Sequence, residues 1–424
     1  MATVARPGSS TPITASRPSR AETSPRGSQP HGVGFWVVAF AFLVVMGFCA
    51  VPTPLYGLYA ARDGFGSLTI TIVFASYAVG VIVSLFTVGH LSDVHGRRRV
   101  LVPALLISIG SAILFLVWRD LAGLLVARFV SGIGVGAVTA TATAWLGELH
   151  SRARPDASSR RAEVIGISAN LGGIGVGPLV AGALAQWVSA PLTVPYLVYG
   201  ALMCVALVGV ALTPETRVVA VQDRPRYRPQ QIHVPHSLRA PFFGALGAAF
   251  IAFATFALFT SLAPAFLAGP LHHASHALAG LAAFIVFASA VVAQIVLARR
   301  SSRNLLIWGT GAIVLGSLTV VLAVWLASPS LMLFLVGGAV LGLGAGALFK
   351  GALATVIRIA EPERRAETLV GLFLAGYLGL AIPAVGLGLL TESVQPKVAL
   401  LVFASLLVAG VLASFAPLSR SARR

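Results

Sequence analysis

Apolar runs of about 20 residues, the length that carries a helix across some 30 Å of hydrocarbon, alternate with short polar stretches along the whole chain. Six fall at 34–60, 68–92, 100–118, 121–147, 163–187 and 192–213, and six more at 241–268, 277–298, 304–326, 329–357, 366–391 and 396–417. Lipid offers no partners for backbone N–H and C=O groups, so each run is predicted to be a helix. The pattern therefore predicts an all-α membrane protein with twelve transmembrane helices in two six-helix bundles, 34–213 and 241–417. The polar stretch 214–240, with Arg217, Arg224, Arg226, Arg228 and Arg239, reads as the linker between them. Residues 1–33 are rich in Ser, Pro, Thr and Arg and lack an apolar core of signal-peptide length, which predicts a disordered tail. Residues 418–424 read as a short basic tail.

The two sets of spans echo each other. SGIGVGA at 131–137 matches LGLGAGA at 341–347, a shift of 210, and the same shift carries Pro54 onto Pro264. RRAEVIG at 160–166 matches RRAETLVG at 364–371 with a shift of 204 to 205. A repeated six-helix unit is the architecture of secondary transporters whose halves move about a midplane site. Trp36, Trp118, Trp145, Trp187, Trp308 and Trp325 all fall near span ends, where indoles are expected at the headgroup level.

Composition agrees with immersion in lipid: 57% of residues are hydrophobic, 10% are charged, and the mean hydropathy is +0.90. The net charge of +17 would suit a nucleic-acid binder, but the placement of the charges excludes that class. Of 30 Lys and Arg, 25 lie in the two tails or in every second loop, as the positive-inside rule demands when both termini are cytoplasmic. The chain is thus expected in the cytoplasmic (inner) membrane, with the lipid bilayer and a small solute as partners, as a monomer. Cys49 and Cys204 lie inside apolar spans and read as buried, inert thiols. No span holds a metal-ligand cluster or a nucleophile with a base, so neither enzyme chemistry, a metal nor a cofactor is expected.

Four motifs carry candidate chemistry. In GHLSDVHGRRR at 89–99, Gly89 permits close helix approach, Gly96 a tight turn, and Asp93 can pair with Arg97, with Arg98 beside it. In LLVARFVSGIGVGA at 124–137, Arg128 lies about seven residues into its span, where a charge costs about 2.5–3.5 kcal/mol. It must face a cavity with a partner, or bond to carbonyls of the first span. Gly132, Gly134 and Gly136 read as packing surface. In GGIGVGPLVAG at 172–182, Gly173, Gly177, Pro178 and Gly182 bend the fifth span and let it approach the other half closely, or simply pack. Lys350 is the one Lys away from the end of a span, placed to take an anionic group of a solute, to meet a helix dipole, or to snorkel. Pro52 and Pro54 should break the first span near Tyr56 and Tyr59, which border the path or anchor at the interface.

The first of these motifs resembles the loop signature of the major facilitator superfamily, and those at 124–137 and 172–182 resemble further motifs of that family. The resemblance covers nearly the whole chain after residue 33. It implies a cytoplasmic latch of Gly89, Asp93, Gly96, Arg97 and Arg98, joined by Glu148 at the end of the fourth span, unless Glu148 is only an interfacial carboxylate. It implies a role for Arg128 near the substrate path and in proton movement. The motif at 172–182, with Ala181 in place of a family Gly, is found in antiporters of the family and points to efflux by exchange. Family exporters coupled to protons carry an acid inside a span, whereas all 13 acids of this chain lie in loops, tails or span ends. Proton coupling therefore stays open, and two buried cations without a buried anion favour a neutral or acidic solute. An uptake permease for a sugar or organic acid, and a membrane sensor of the same fold, remain alternatives.

Overall fold

The computed structural model describes residues 30–88, 91–217, 238–361 and 365–421, without the side chains of Asp93, 365–367 and 415–421. The tail before residue 30, Gly89 and the linker arginines Arg224, Arg226 and Arg228 lie outside the described residues. Twelve helices are long and apolar enough to cross a bilayer: α1 His31–Asp63, α2 Ser67–Thr87, α3 Arg97–Val117, α4 Leu121–Ala153, α5 Arg160–Trp187 and α6 Val194–Leu212, then α7 Arg239–Ala268, α8 His276–Val296, α9 Ser302–Trp325, α10 Leu331–Ile359, α11 Thr368–Ser393 and α12 Pro396–Ser414. No strand occurs among the described residues.

The halves share one packing plan. α1 lies against α4, α5 and α6, while α7 lies against α10, α11 and α12. α4 also packs on α2 and α3, as α10 does on α8 and α9. Between the halves, α5 meets α8 and α2 meets α11. Large apolar side chains such as Val117, Val205, Leu318 and Leu406 remain exposed on the outside, as contact with lipid requires. With an even number of spans, residue 31 and the end of α12 share one side, termed the tail face; the other is the far face.

Three helices are interrupted where the sequence places proline or small residues. α1 is helical to Ala50, makes a 3-10 turn at Thr53–Leu55 around Pro54, and resumes at Tyr56. α7 widens into a π turn at Leu258–Leu262 just before Pro264, the match of Pro54. α5 has a π turn at Ser168–Gly172 and carries Pro178 inside its second part. At 33 residues, α4 is ~50 Å long at 1.5 Å per residue, so its end projects beyond the hydrocarbon.

That length corrects one expectation. Trp145 lies eight residues before the end of α4 and is fully buried, not at the headgroup level. The other five tryptophans are exposed, from 42% at Trp118 to 76% at Trp187. Cys204 is exposed rather than buried, because α6 turns that face outward, whereas Cys49 is buried.

Candidate functional site

Arg128 sits on α4 with 2% of its surface exposed. Its Nη1 donates to the Cys49 carbonyl at 2.5 Å, the last turn of α1 before the proline break. The break frees that carbonyl from a regular helical partner, and the arginine takes it. The guanidinium also lies 4.7 Å from the Tyr77 ring centroid and 5.6 Å from that of Phe74, both on α2. Such aromatic faces attract a cation without neutralising it. No carboxylate pairs with this cation among the described salt bridges. The Nε of Arg128, the hydroxyl of Tyr56 and the hydroxyl of Ser131 are buried without a hydrogen-bond partner. Tyr56 and Tyr59 are 3% and 2% exposed, so neither anchors at the interface; Tyr59 instead donates to Tyr196 of α6 at 3.0 Å.

A second polar cluster occupies the tail face of the first half. The Arg97 side chain is 5% exposed and is forked onto Glu148, 28% exposed, with Nη2–Oε1 at 2.7 Å and Nε–Oε1 at 3.2 Å. Its Nη1 donates to Ser92 at 2.8 Å, and Thr216 donates its hydroxyl to the other oxygen of Glu148. Glu215 receives the backbone N–H groups of Arg97 and Arg98, each at 2.9 Å, and so caps the start of α3. Gly96 precedes that start at φ +102°, where a Cβ would stand 2.7 Å from the Glu215 carboxylate. Glycine is demanded there twice over, by the backbone and by the cap. Glu148 therefore is not a free interfacial acid. The Asp93 side chain and Gly89 fall outside the described residues, so the expected Asp93–Arg97 pair does too.

Sequence reading missed Glu215, Thr216 and Ser92. Their signal was slight: TPETR at 213–217 follows the sixth span, and among so many arginines an isolated acid there has to find a basic partner.

Lys350 is on α10 with its side chain 13% exposed, and its Nζ pairs at 2.9 Å with Glu163, 53% exposed, near the start of α5. Lys350 therefore has an acid of the opposite half beside it, although an exposed one, whereas Arg128 has no carboxylate partner among the described salt bridges. Lys350 and Glu163 are 187 positions apart, beyond the reach of any local pattern.

The glycines settle against named backbone. A Cβ at Gly132 would stand 2.2 Å from Tyr77 O and one at Gly136 2.6 Å from Ser84, both on α2; Gly134 faces Ser108 of α3. In α5, Gly173 and Gly177 pack on Leu43 and Gly47 of α1, within the same half. Gly182 approaches His276 O of α8, and Pro178 O approaches Gly280, so that end of α5 makes the close inter-half contact. Around it, the Gln186 carbonyl accepts from Ser275 Oγ and the His276 backbone at 3.1 Å, and His276 Nδ1 lies 3.2 Å from Pro54 O. Across the same face, Glu392 of α11 accepts from the Leu68 N–H of α2 at 3.3 Å. The far ends of the halves are therefore joined.

A family model described as Major Facilitator Superfamily matches residues 38–333. An uncharacterized MFS-type transporter of Methanocaldococcus jannaschii is 29% identical over 153 residues, 36% of this chain and 37% of that protein. The arabinose-proton symporter of Bacillus subtilis is 30% identical over 105 residues, 25% of this chain and 21% of its own. The multidrug resistance protein Stp of Mycobacterium tuberculosis is 32% identical over 160 residues, 37% of this chain and 27% of its own. The chain thus spans between 21% and 37% of the length of these relatives. Among solved structures, the human organic anion transporter MFSD10 (TETRAN) superposes with a TM-score of 0.63 at 16% identity, over 91% of this chain and 99% of that one. A bacterial homolog of the human lysosomal transporter Spinster, inward-facing and unoccupied, gives 0.64 at 16% identity, over 94% and 96%. At such identity the likeness is one of fold.

Proposed function

The chain belongs to the Major Facilitator Superfamily, and from that premise we propose that it exports a small neutral or acidic organic solute by alternating access. The membrane is the cytoplasmic membrane, with the tail face toward the cytoplasm. The observation that carries the reading is Arg128: a cation buried to 2% exposure beside a broken α1, held by a carbonyl and two aromatic faces, with Nε unpartnered. A buried positive charge without a counter-ion repels a cationic solute and attracts an anionic or strongly dipolar one. Tyr56 and Ser131 supply unpartnered hydroxyls in the same layer. Exchange in the outward direction is supported by the small-residue bend at 172–182 and by the name of the Stp relative. The group around Arg97, Glu148, Gly96 and Arg98 serves as the tail-side latch of the first half.

The test is flux into and out of proteoliposomes holding the purified protein, over acidic, neutral and cationic solutes, with and without a pH gradient. Acidic or neutral solutes should exchange and cationic ones should not; movement of cations alone would contradict the reading. Uptake is the second reading, favoured by the match to a proton-coupled arabinose symporter. Deleting the gene should raise solute accumulation in cells if the protein exports, and lower it if the protein imports. The pH-gradient arm reads proton coupling directly.

A further inference from the structure

Of the ion pairs between described side chains, Arg62–Asp63 and Arg97–Glu148 lie within the first half, whereas Lys350–Glu163 joins one half to the other. The pair is unequal. The cation is nearly buried, at 13%, and the carboxylate is half in solvent, at 53%. A dissolved carboxylate can therefore approach the same cation and compete with Glu163 for it.

The residue before Lys350 on α10 belongs to a cluster of rings. Phe349, its neighbour in the chain, stands edge-on to Phe253 of α7 at 5.4 Å and tilted to Phe373 of α11 at 6.0 Å, and Phe253 meets Tyr377 at 5.4 Å. Phe349, Phe253 and Phe373 are all only half-buried. A cation one residue along the helix from these half-buried rings suits a solute with an acid group on an aromatic body.

Glu163 itself stands on a short helical segment set off by a π turn. It belongs to the eight-residue helix Arg160–Ile167, which joins the rest of α5 through the π turn at 168–172. Such turns interrupt the regular helical ladder and recur at functional sites. The internal repeat also leaves this link single: the 210 shift carries Lys350 onto Ala140, so the matching place in the first half has no cation.

We propose that Lys350 exchanges Glu163 for the carboxylate of an aromatic acid entering from the tail side, and that this exchange releases the start of α5 from α10. Glu163 thus holds the place on Lys350 that the solute carboxylate would take. This deepens the export reading, since it names the solute class and the group that the solute displaces.

The experiment places spin labels at the exposed positions 160 and 358, through Arg160→Cys and Arg358→Cys in a Cys49→Ser, Cys204→Ser background, in lipid nanodiscs. Benzoate should raise the widely separated population about fivefold or more, the low end of ordinary coupling between sites, and its neutral analogue benzamide should not. Glu163→Gln should give that population without any ligand, and the exchange of charges, Glu163→Lys with Lys350→Glu, should bring the short distance back. An unchanged distribution in Glu163→Gln, or an equal response to benzamide, overturns the proposal. Because no flux is measured, the two readings separate. Flux of acids with distances unmoved by Glu163→Gln sinks this inference alone. Distances that respond in a protein without flux sink the export reading and leave the exchange standing.

Discussion

The two halves agree in their packing and disagree in their charges. Gly132, Gly134 and Gly136 of α4 have Gly342, Gly344 and Gly346 of α10 as counterparts, and the contacts correspond. Gly132 faces Tyr77 O of α2 where Gly342 faces Val286 O of α8, and Gly134 faces α3 where Gly344 faces Ile313 of α9. The same shift that conserves these contacts carries Arg128 onto Gly338, which lies against Phe259, and Lys350 onto Ala140. Backbone approach is thus duplicated, because both bundles must close in lipid by small-residue contact. Charge is placed once per site, because a buried ion is costly and has to serve a purpose at its own position.

The comparison can be broken most forcefully at the tail face. Glu148→Ala takes away the carboxylate onto which the buried Arg97 side chain is forked, which should lower stability by about 3 kcal/mol. Thermal unfolding in detergent should drop accordingly. Arg299→Ala with Arg300→Ala, in the corresponding loop of the second half, should leave the transition in place, because both side chains are exposed.

Next in size are the glycines. Gly132→Ala and Gly342→Ala each put a Cβ 2.2 Å from a carbonyl oxygen, and overpacking of this kind costs about 1–3 kcal/mol. The two losses should be alike, read as the fraction of protein that stays monodisperse on extraction. Unequal losses would show that the halves are less equivalent than their contacts.

A smaller effect separates the helix caps. Asp120 accepts from Gly123 N–H at 2.8 Å at the start of α4, and Ser330, its counterpart at the shift of 210, accepts from Leu333 N–H at 3.3 Å at the start of α10. The Gly123 N–H holds the Asp120 carboxyl below its ordinary value. A lowered carboxylate contributes stability above its ordinary pKa and loses it as pH falls through the lowered one. Amide exchange at 121–124 should therefore quicken in acid relative to 331–334, where the serine cap does not titrate.

Much of this is legible in the sequence. Spans, repeat, latch motif and the depth of Arg128 follow from hydropathy, spacing and identity. What stayed hidden has two physical causes. In lipid, a residue facing outward and one facing a neighbouring helix are equally apolar, so no periodicity distinguishes exposed Cys204 from buried Trp145. Polar partners distant in sequence leave no local trace either: Glu163 reads as one more span-end acid until it meets Lys350, and Glu215 reads as part of a basic linker until it caps α3. The proline break in α1 was readable, but not that Arg128 would claim the carbonyl it frees.

The central claim is that an unopposed buried cation governs what crosses. Its most direct measurement is benzoate exchange in proteoliposomes with Arg128→Leu, a variant that also removes a charge costly to bury. The account predicts a protein at least as heat-stable as the parent, with benzoate exchange lost. Exchange that continues at the parent rate in a well-folded Arg128→Leu protein would contradict it.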